Sequence, residues 1–220
     1  MISNTRITIL SGHYGSGKTN VAVNLAVALK KEKEKVALAD LDIVNPYFRS
    51  KDSIKTFEEN DIRFICSEYA NSNVDIPALP QDIYAVTDDK TMYSILDVGG
   101  DERGALALGR IAPRIREEND FEMIYVVNKY RPLTRDADSA IEVMREIEAA
   151  CKLKFTCIIN NSNLGIETDA DTVLSSQIYA EEISDRTGLP ILYTTVSGAV
   201  RAQLEDKIKN LYEINLQKRM

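Results

Sequence analysis

The sequence predicts an α/β protein with a doubly wound, mostly parallel sheet of about seven strands and helices on both faces. Two observations carry this. Short β-branched runs alternate with longer stretches of helical periodicity along the chain. Most of those short runs are apolar at successive positions, not at every second one, the pattern of strands buried on both faces of a parallel sheet. Strand, helix and strand repeated in this way imply right-handed crossovers.

In order, the first strand spans Arg6–Leu10 and ends at a glycine-rich turn, with a helix over Lys18–Lys31 behind it. The strand Lys35–Ala39, the helix Ser50–Asn60 and the strand Ile62–Cys66 follow. The stretch 71–81, with Pro77 and Pro80, has no period and reads as a mobile surface loop. The strand Ser94–Val98 precedes a helix over Arg103–Glu118, and the strand Met123–Val127 precedes one over Thr134–Ala150. After the strand Phe155–Ile159, the helix Asp171–Thr187 is stopped by Gly188-Leu189-Pro190. A strand over Ile191–Thr195 and a helix over Ala199–Asn215 complete the chain. With no internal repeat or linker, residues 1–220 read as one domain.

Composition narrows the setting. Hydrophobic residues make up 44% and charged residues 28%, as in ordinary globular proteins. The formal net charge of −7 argues against nucleic acid or an anionic membrane as partner, since either would need a local basic patch. Cys66, Cys151 and Cys157 form no C-x-x-C pair and read as buried small hydrophobes. No leader or membrane-length apolar segment is visible, so a reducing, cytoplasmic setting is expected.

The chemistry concentrates at strand ends. Gly12-His13-Tyr14-Gly15-Ser16-Gly17-Lys18-Thr19 satisfies G-x-x-x-x-G-K-[ST] between a strand and a helix. Glycines let the backbone curl so that the amides of Gly15 to Thr19 converge on one point, and the helix adds its positive end. Gly12, Gly15, Ser16, Gly17, Lys18, Thr19 and Asn20 are the expected nucleotide-binding residues, with Lys18 on the terminal phosphates and Thr19 on Mg²⁺. The second strand ends in Asp40-Leu41-Asp42, and the strand over 94–98 runs into Asp97-Val98-Gly99-Gly100. Carboxylates emerging there can order a metal's water shell and an attacking water, and a glycine can offer its N–H to a γ-phosphate.

Together these elements resemble the MinD/ParA/ArsA-type branch of P-loop ATPases, that is, the CobQ/CobB/MinD/ParA nucleotide-binding domain. The likeness runs through most of the chain in the expected order. It implies that Asp40 orders the magnesium waters, Asp42 positions the attacking water, and Asp97 and Gly100 serve as the acidic and γ-phosphate-sensing positions of the second switch. It also places Asn161, with Asn160 as the alternative, against adenine. The loop departs from the family's G-K-G-G-x-G-K-[ST], because His13 stands where that pattern has its first lysine and Tyr14 replaces a glycine. A neutral imidazole cannot replace a permanent cation at pH 7, although a nearby phosphate would raise its pKa. His13 is therefore either a pH-sensitive substitute acting across a homodimer or an ordinary loop residue.

Asn128-Lys129-Tyr130-Arg131 resembles the guanine-reading N-K-x-D, but Arg131 has only donors and cannot accept from guanine. ATP with Mg²⁺ is thus the expected cofactor, and an ATPase switching an unidentified protein partner is the expected function. The alternatives are a biosynthetic ligase resembling dethiobiotin synthetase and a metallocentre-maturation GTPase. Val200, Leu204, Ile208 and Leu211 recur at helical spacing near Lys207, Lys209, Lys218 and Arg219, and read as a core-facing stripe before a membrane anchor. Leu106, Leu108 and Ile111 likewise read as core.

Overall fold

The computed structural model describes residues 5–42, 51–66 and 81–215, the side chains of 51–54 and 81 excepted. Its elements are β1 (Ile7–Ser11), α1 (Lys18–Lys30), β2 (Val36–Leu41), α2 (Lys51–Glu59), β3 (Arg63–Cys66), α3 (Ala85–Asp88), β4 (Tyr93–Val98) and α4 (Glu102–Glu118). Then come β5 (Phe121–Val127), α5 (Ala137–Cys151), β6 (Cys157–Asn160), α6 (Ala170–Ser175), α7 (Gln177–Thr187), β7 (Ile191–Val196), α8 (Gly198–Arg201) and β8 (Leu211–Glu213). The irregular stretch 71–80, the tail of the D-x-D segment beyond Asp42, and Lys218 and Arg219 lie outside the described residues.

All eight strands are parallel, in the order β3-β2-β4-β1-β5-β6-β7-β8. Every residue of β1 and β2 is buried, which is why those strands read as continuous apolar runs. β1 lies between β4 and β5, so the strand order reverses beside it and a crevice opens at its carboxyl end. Two apolar layers cover the sheet. On one face Leu108 and Ile111 of α4, Met144 of α5 and Ile183 of α7 pack together. On the other, Val21, Leu25 and Leu29 of α1 join Phe57 of α2, whose ring stacks on Phe64 at 5.0 Å.

Capping sets several boundaries that periodicity misplaces. α4, α5 and α6 each begin behind an aspartate (Asp101, Asp136, Asp169) whose side chain accepts from the backbone N–H three residues on. Each such cap contributes about 1 kcal/mol. This moves the start of the fourth predicted helix from Thr134 to Ala137, because Pro132–Thr134 form a 3₁₀ turn before the cap. The predicted strand over Phe155–Ile159 is shifted to Cys157–Asn160, as Phe155 gives its N–H to Glu148.

Three expectations are corrected. The helix over 171–187 is broken at Ser176, which is buried, donates its hydroxyl to the Val173 carbonyl at 2.7 Å and accepts from Asn160 at 2.9 Å. The helix over 199–215 does not form. α8 covers one turn, tight turns carry Leu204 and Ile208 inward, and Leu211-Tyr212-Glu213 pair with β7 as an eighth strand. A spacing of four apolar residues is met equally by a helix and by successive turns, and Tyr212 gains a ring contact with Tyr193 at 5.0 Å. Val200, Leu204 and Ile208 are buried with Val173 and Val196, so the stripe faces a core. Leu108 and Ile111 are buried as expected, but Leu106 is 51% exposed. No helix among the described residues is long and apolar enough to cross a membrane. Cys151 and Cys157 are buried, and burial pushes the Cys157 thiol up to about 12.

A buried ion pair closes the amino-end of the sheet. Arg6, 5% exposed, grips both carboxylate oxygens of Glu118 and donates to the carbonyls of Val86 and Met92 at 2.8 Å. It ties β1 to the end of α4 and to the α3–β4 turn. Arg6→Met leaves Glu118 with Lys90, 2.7 Å away, as its one partner among the described residues, and the Val86 and Met92 carbonyls without this donor, so it should cost about 3 kcal/mol in urea unfolding. A loss below about 1 kcal/mol would show the pair to be dispensable.

Candidate functional site

The loop after β1 curls as its glycines allow. Gly17 has φ +86° and stands at the start of α1 with no side-chain cap, and the first turn of α1 holds no acidic residue. The helix's first amides are thus left for an anion. A Cβ on Gly17 would lie 2.3 Å from Asn161 Nδ2, so only glycine fits. Ser16 gives its N–H to the His13 carbonyl at 3.1 Å, and its buried hydroxyl has no partner among the described residues. Gly12 backs onto the Val126 carbonyl of β5, and Asn20 continues the first turn of α1, where its carbonyl accepts from Asn24 at 2.8 Å.

Lys18 is 6% exposed and lies within the loop, Nζ 3.4 Å from the His13 carbonyl. Burial lowers its pKa, while Asp97, Asp42 and Asp101 raise it. Asp101 was not singled out from the sequence; its local signal was only that of a helix cap. Asp97 is 1% exposed. One carboxylate oxygen accepts from the Thr19 hydroxyl at 2.5 Å, and the other is buried without a partner among the described residues. Burial raises its pKa to about 6 against the pull of Lys18 and Thr19. Asp40, also buried, accepts from the Asp42 N–H at 2.8 Å, which turns the chain at the end of β2. The structure thus brings Lys18, Thr19, Asp97, Asp40 and Asp42 to one crevice. An unpaired carboxylate oxygen beside a hydroxyl and an ammonium fits a hydrated divalent cation next to a phosphate. Thr19, donating its proton to Asp97, keeps its oxygen lone pairs free for that cation.

Gly99 and Gly100 seat the segment after β4 on this loop. A Cβ on Gly99 would lie 3.3 Å from Asp42 Cα. One on Gly100 would lie 2.4 Å from Tyr14 N and 2.6 Å from the Gly12 carbonyl. The backbone at Gly100 therefore rests directly on the mouth of the loop, and α4 begins two residues later.

The strand-end asparagines are committed within the protein. Asn161 donates to the Ser16 carbonyl at 2.6 Å and accepts from the Thr195 hydroxyl at 2.5 Å. Asn160 donates to Ser176 and accepts from the Ser162 N–H at 3.2 Å. Here Asn161 supports the loop's main chain from β6, a role that β-strand periodicity could not reveal. His13 donates from Nδ1 to the Tyr14 carbonyl at 2.8 Å, which fixes the neutral tautomer with Nε2 as acceptor. Burial first, then Lys18 and Arg131, lower its pKa, opposite to the rise that a phosphate would cause. Tyr14 is 60% exposed beside it. The presence of Arg131 near this loop was also missed, because its approach depends on the β5–α5 turn.

A match to the family of CobQ/CobB/MinD/ParA nucleotide binding domains spans residues 7–192. No match was found among curated protein sequences. Among solved structures, the signal recognition particle receptor FtsY from Elizabethkingia anophelis is similar, with a TM-score of 0.51, 17% identity, and coverage of 87% of this chain and 58% of that one. FtsY from Mycoplasma mycoides gives a TM-score of 0.58 at 16% identity, covering 90% of this chain and 61% of that one. FlhF complexed with GTP/Mg²⁺ gives 0.54 at 14% identity, covering 90% and 68%. This chain therefore spans about three-fifths of either FtsY chain. At such identities the likeness is one of fold, an α/β P-loop architecture.

Loss of the Asn161 amide should loosen the loop without emptying the core. Asn161→Ala leaves the Ser16 carbonyl and the Thr195 hydroxyl without this partner and should cost about 2 kcal/mol of stability. Amide hydrogen exchange should rise selectively over residues 12–19. Uniform exchange across β1 and β6 would contradict this role.

Proposed function

Because the chain belongs to the CobQ/CobB/MinD/ParA family of nucleotide-binding domains, we propose that it binds Mg·ATP, hydrolyses it, and uses the two nucleotide states as a switch on a protein partner. The observation that carries this is the seat of Gly100 on the loop mouth, with Tyr14 N 2.4 Å from where a side chain would begin. A terminal phosphate entering there meets a main-chain segment with no side chain to interpose. That segment leads through the Asp101 cap straight into α4. Binding that shifts Gly100 would shift the start of α4, and exposed Leu106 on that helix would move with it. A ligand acts on such an equilibrium only by its differential affinity for the two states, and a terminal phosphate in contact with Gly100 supplies one.

On this proposal the loop amides hold the phosphates and Lys18 stabilises charge on the transferring group. Magnesium, held by Thr19 and through its water shell by Asp97 and Asp40, would neutralise charge on the phosphate oxygens. Asp42, next to Gly99, orients the attacking water. ATP is preferred to GTP because Asn128-Lys129-Tyr130-Arg131 lacks the acidic residue with which N-K-x-D accepts from guanine.

Isothermal titration with ATP and GTP analogues, followed by turnover with no added substrate, tests the proposal. Turnover only with an added carboxylate metabolite would favour the ligase alternative, and tighter binding of GTP would reverse the nucleotide assignment. Lys18→Ala should abolish binding or turnover. Asp42→Ala should keep affinity within about threefold and slow hydrolysis by about 100-fold or more; retained hydrolysis would remove Asp42 from this role.

The magnesium dependence should also follow pH. Asp97, raised to about 6, is ionised above that value and takes a proton below it. The proton competes with the cation, so the magnesium-dependent part of nucleotide affinity should fall about fourfold between pH 7.5 and 5.5. The stability sign is opposite. The ligand-free fold, whose Asp97 holds its proton more tightly than the unfolded chain, loses stability as pH rises from the ordinary aspartate range through about 6.

A further inference from the structure

We propose that Arg131 is a phosphate-contacting residue, reaching from the β5–α5 turn to place its guanidinium on the polyphosphate chain held by the Gly12–Thr19 loop. The proposal deepens the nucleotide-binding reading above and rests on it. Three observations carry it. The first is position. A Cβ built on Gly15 would lie 3.4 Å from Arg131 Nε and 3.6 Å from its Cδ and Cζ, so the guanidinium lies over the loop's middle glycine. The second is an unmet need. Nε is buried and has no hydrogen-bond partner among the described residues. A buried charged donor left this way is costly, and an anion seated on the loop would relieve it.

The third is support. Asn128, fully buried, accepts from the N–H of Tyr130 at 3.0 Å through its side chain, and from the N–H of Arg131 at 3.2 Å and the Thr134 hydroxyl at 3.1 Å through its carbonyl. The Tyr130 hydroxyl donates to the Thr172 carbonyl at 2.7 Å. The turn that delivers Arg131 is thus fixed from both sides, and little ordering remains when a ligand arrives. A guanidinium presents a planar fork suited to phosphate oxygens, which a strongly hydrated ammonium matches less well. The same cation bears on His13, whose pKa is lowered first by burial, then by Lys18 and by Arg131. His13 is the only histidine of the chain, so its ring resonances report on the loop without assignment ambiguity.

The test compares wild type with Arg131→Gln, which keeps length and a donor but removes the charge. Thermal melts of both, ligand-free, verify folding. Titration with Mg·AMP-PNP should show Kd raised about 10- to 100-fold in Arg131→Gln. Affinity of the wild type should fall more steeply with added salt than that of the variant. In ligand-free protein, the His13 ring should titrate at higher pH in Arg131→Gln than in wild type. A Kd within about twofold of wild type overturns the proposal while leaving nucleotide binding intact. Parallel salt dependence would assign the residue to stacking in place of charge, and overturns it too. An unchanged His13 titration would mean that Arg131 does not sit beside the loop. A wild type that binds neither AMP-PNP nor GMP-PNP would remove the nucleotide reading, and this proposal with it.

Discussion

The phosphate loop of this protein is held in shape by two approaches that leave no space for a side chain. From β6, the Asn161 amide reaches the Ser16 carbonyl and presses against Gly17. From the end of β4, the backbone of Gly100 presses against Gly12 and Tyr14. A glycine-rich loop outside helix and sheet has no core of its own and depends on such neighbours. Asn161 is anchored in turn by Thr195 of β7, so the loop's geometry draws on β6 and β7 as well as on its own flanking strand. Gly12, Gly17 and Gly100 are therefore required by what packs against them.

That geometry creates an electrostatic problem which the sequence half solves. Lys18 and Asp97 are both buried, and burial disfavours the charged form of each. Each is the other's main opposing influence, and Thr19 joins them by its hydrogen bond to Asp97. The pair is incomplete, because one oxygen of Asp97 has no partner among the described residues. Buried polar groups left in that condition mark a place where strain is relieved on binding. His13 fits the same balance. With Lys18 and Arg131 nearby, a third cation is disfavoured, and its Nδ1–H is turned back to the Tyr14 carbonyl.

The two faces of the sheet divide the work. Helix α1 grows out of the loop and packs in one apolar layer, while α4 grows out of the Gly99–Gly100 segment and packs in the other with α5 and α7. The segment at Gly100 therefore leads into a different layer from the one that holds α1. Packed layers move as units, because close-packed side chains do not deform continuously. Arg6, gripping Glu118 at the far end of α4, gives that helix a fixed point against β1.

The sequence alone determined the alternation of strands and helices, the parallel sheet and the loop itself, because burial on both faces and a glycine-lysine turn leave marks in consecutive residues. It also located Asp40, Asp42 and Asp97 at strand ends, where a doubly wound sheet collects them. Tertiary structure alone decided the rest. The segment after Arg201 abandoned its helical spacing because an open sheet edge offered Leu211-Tyr212-Glu213 a partner strand. Asn161 turned out to support the loop, and Arg131 to lie over Gly15, because each is delivered by a different strand and no local period encodes the distance between strand ends. Contacts across the crevice are set by how the sheet brings separate turns together, and that information resides in packing, not in any one stretch of chain.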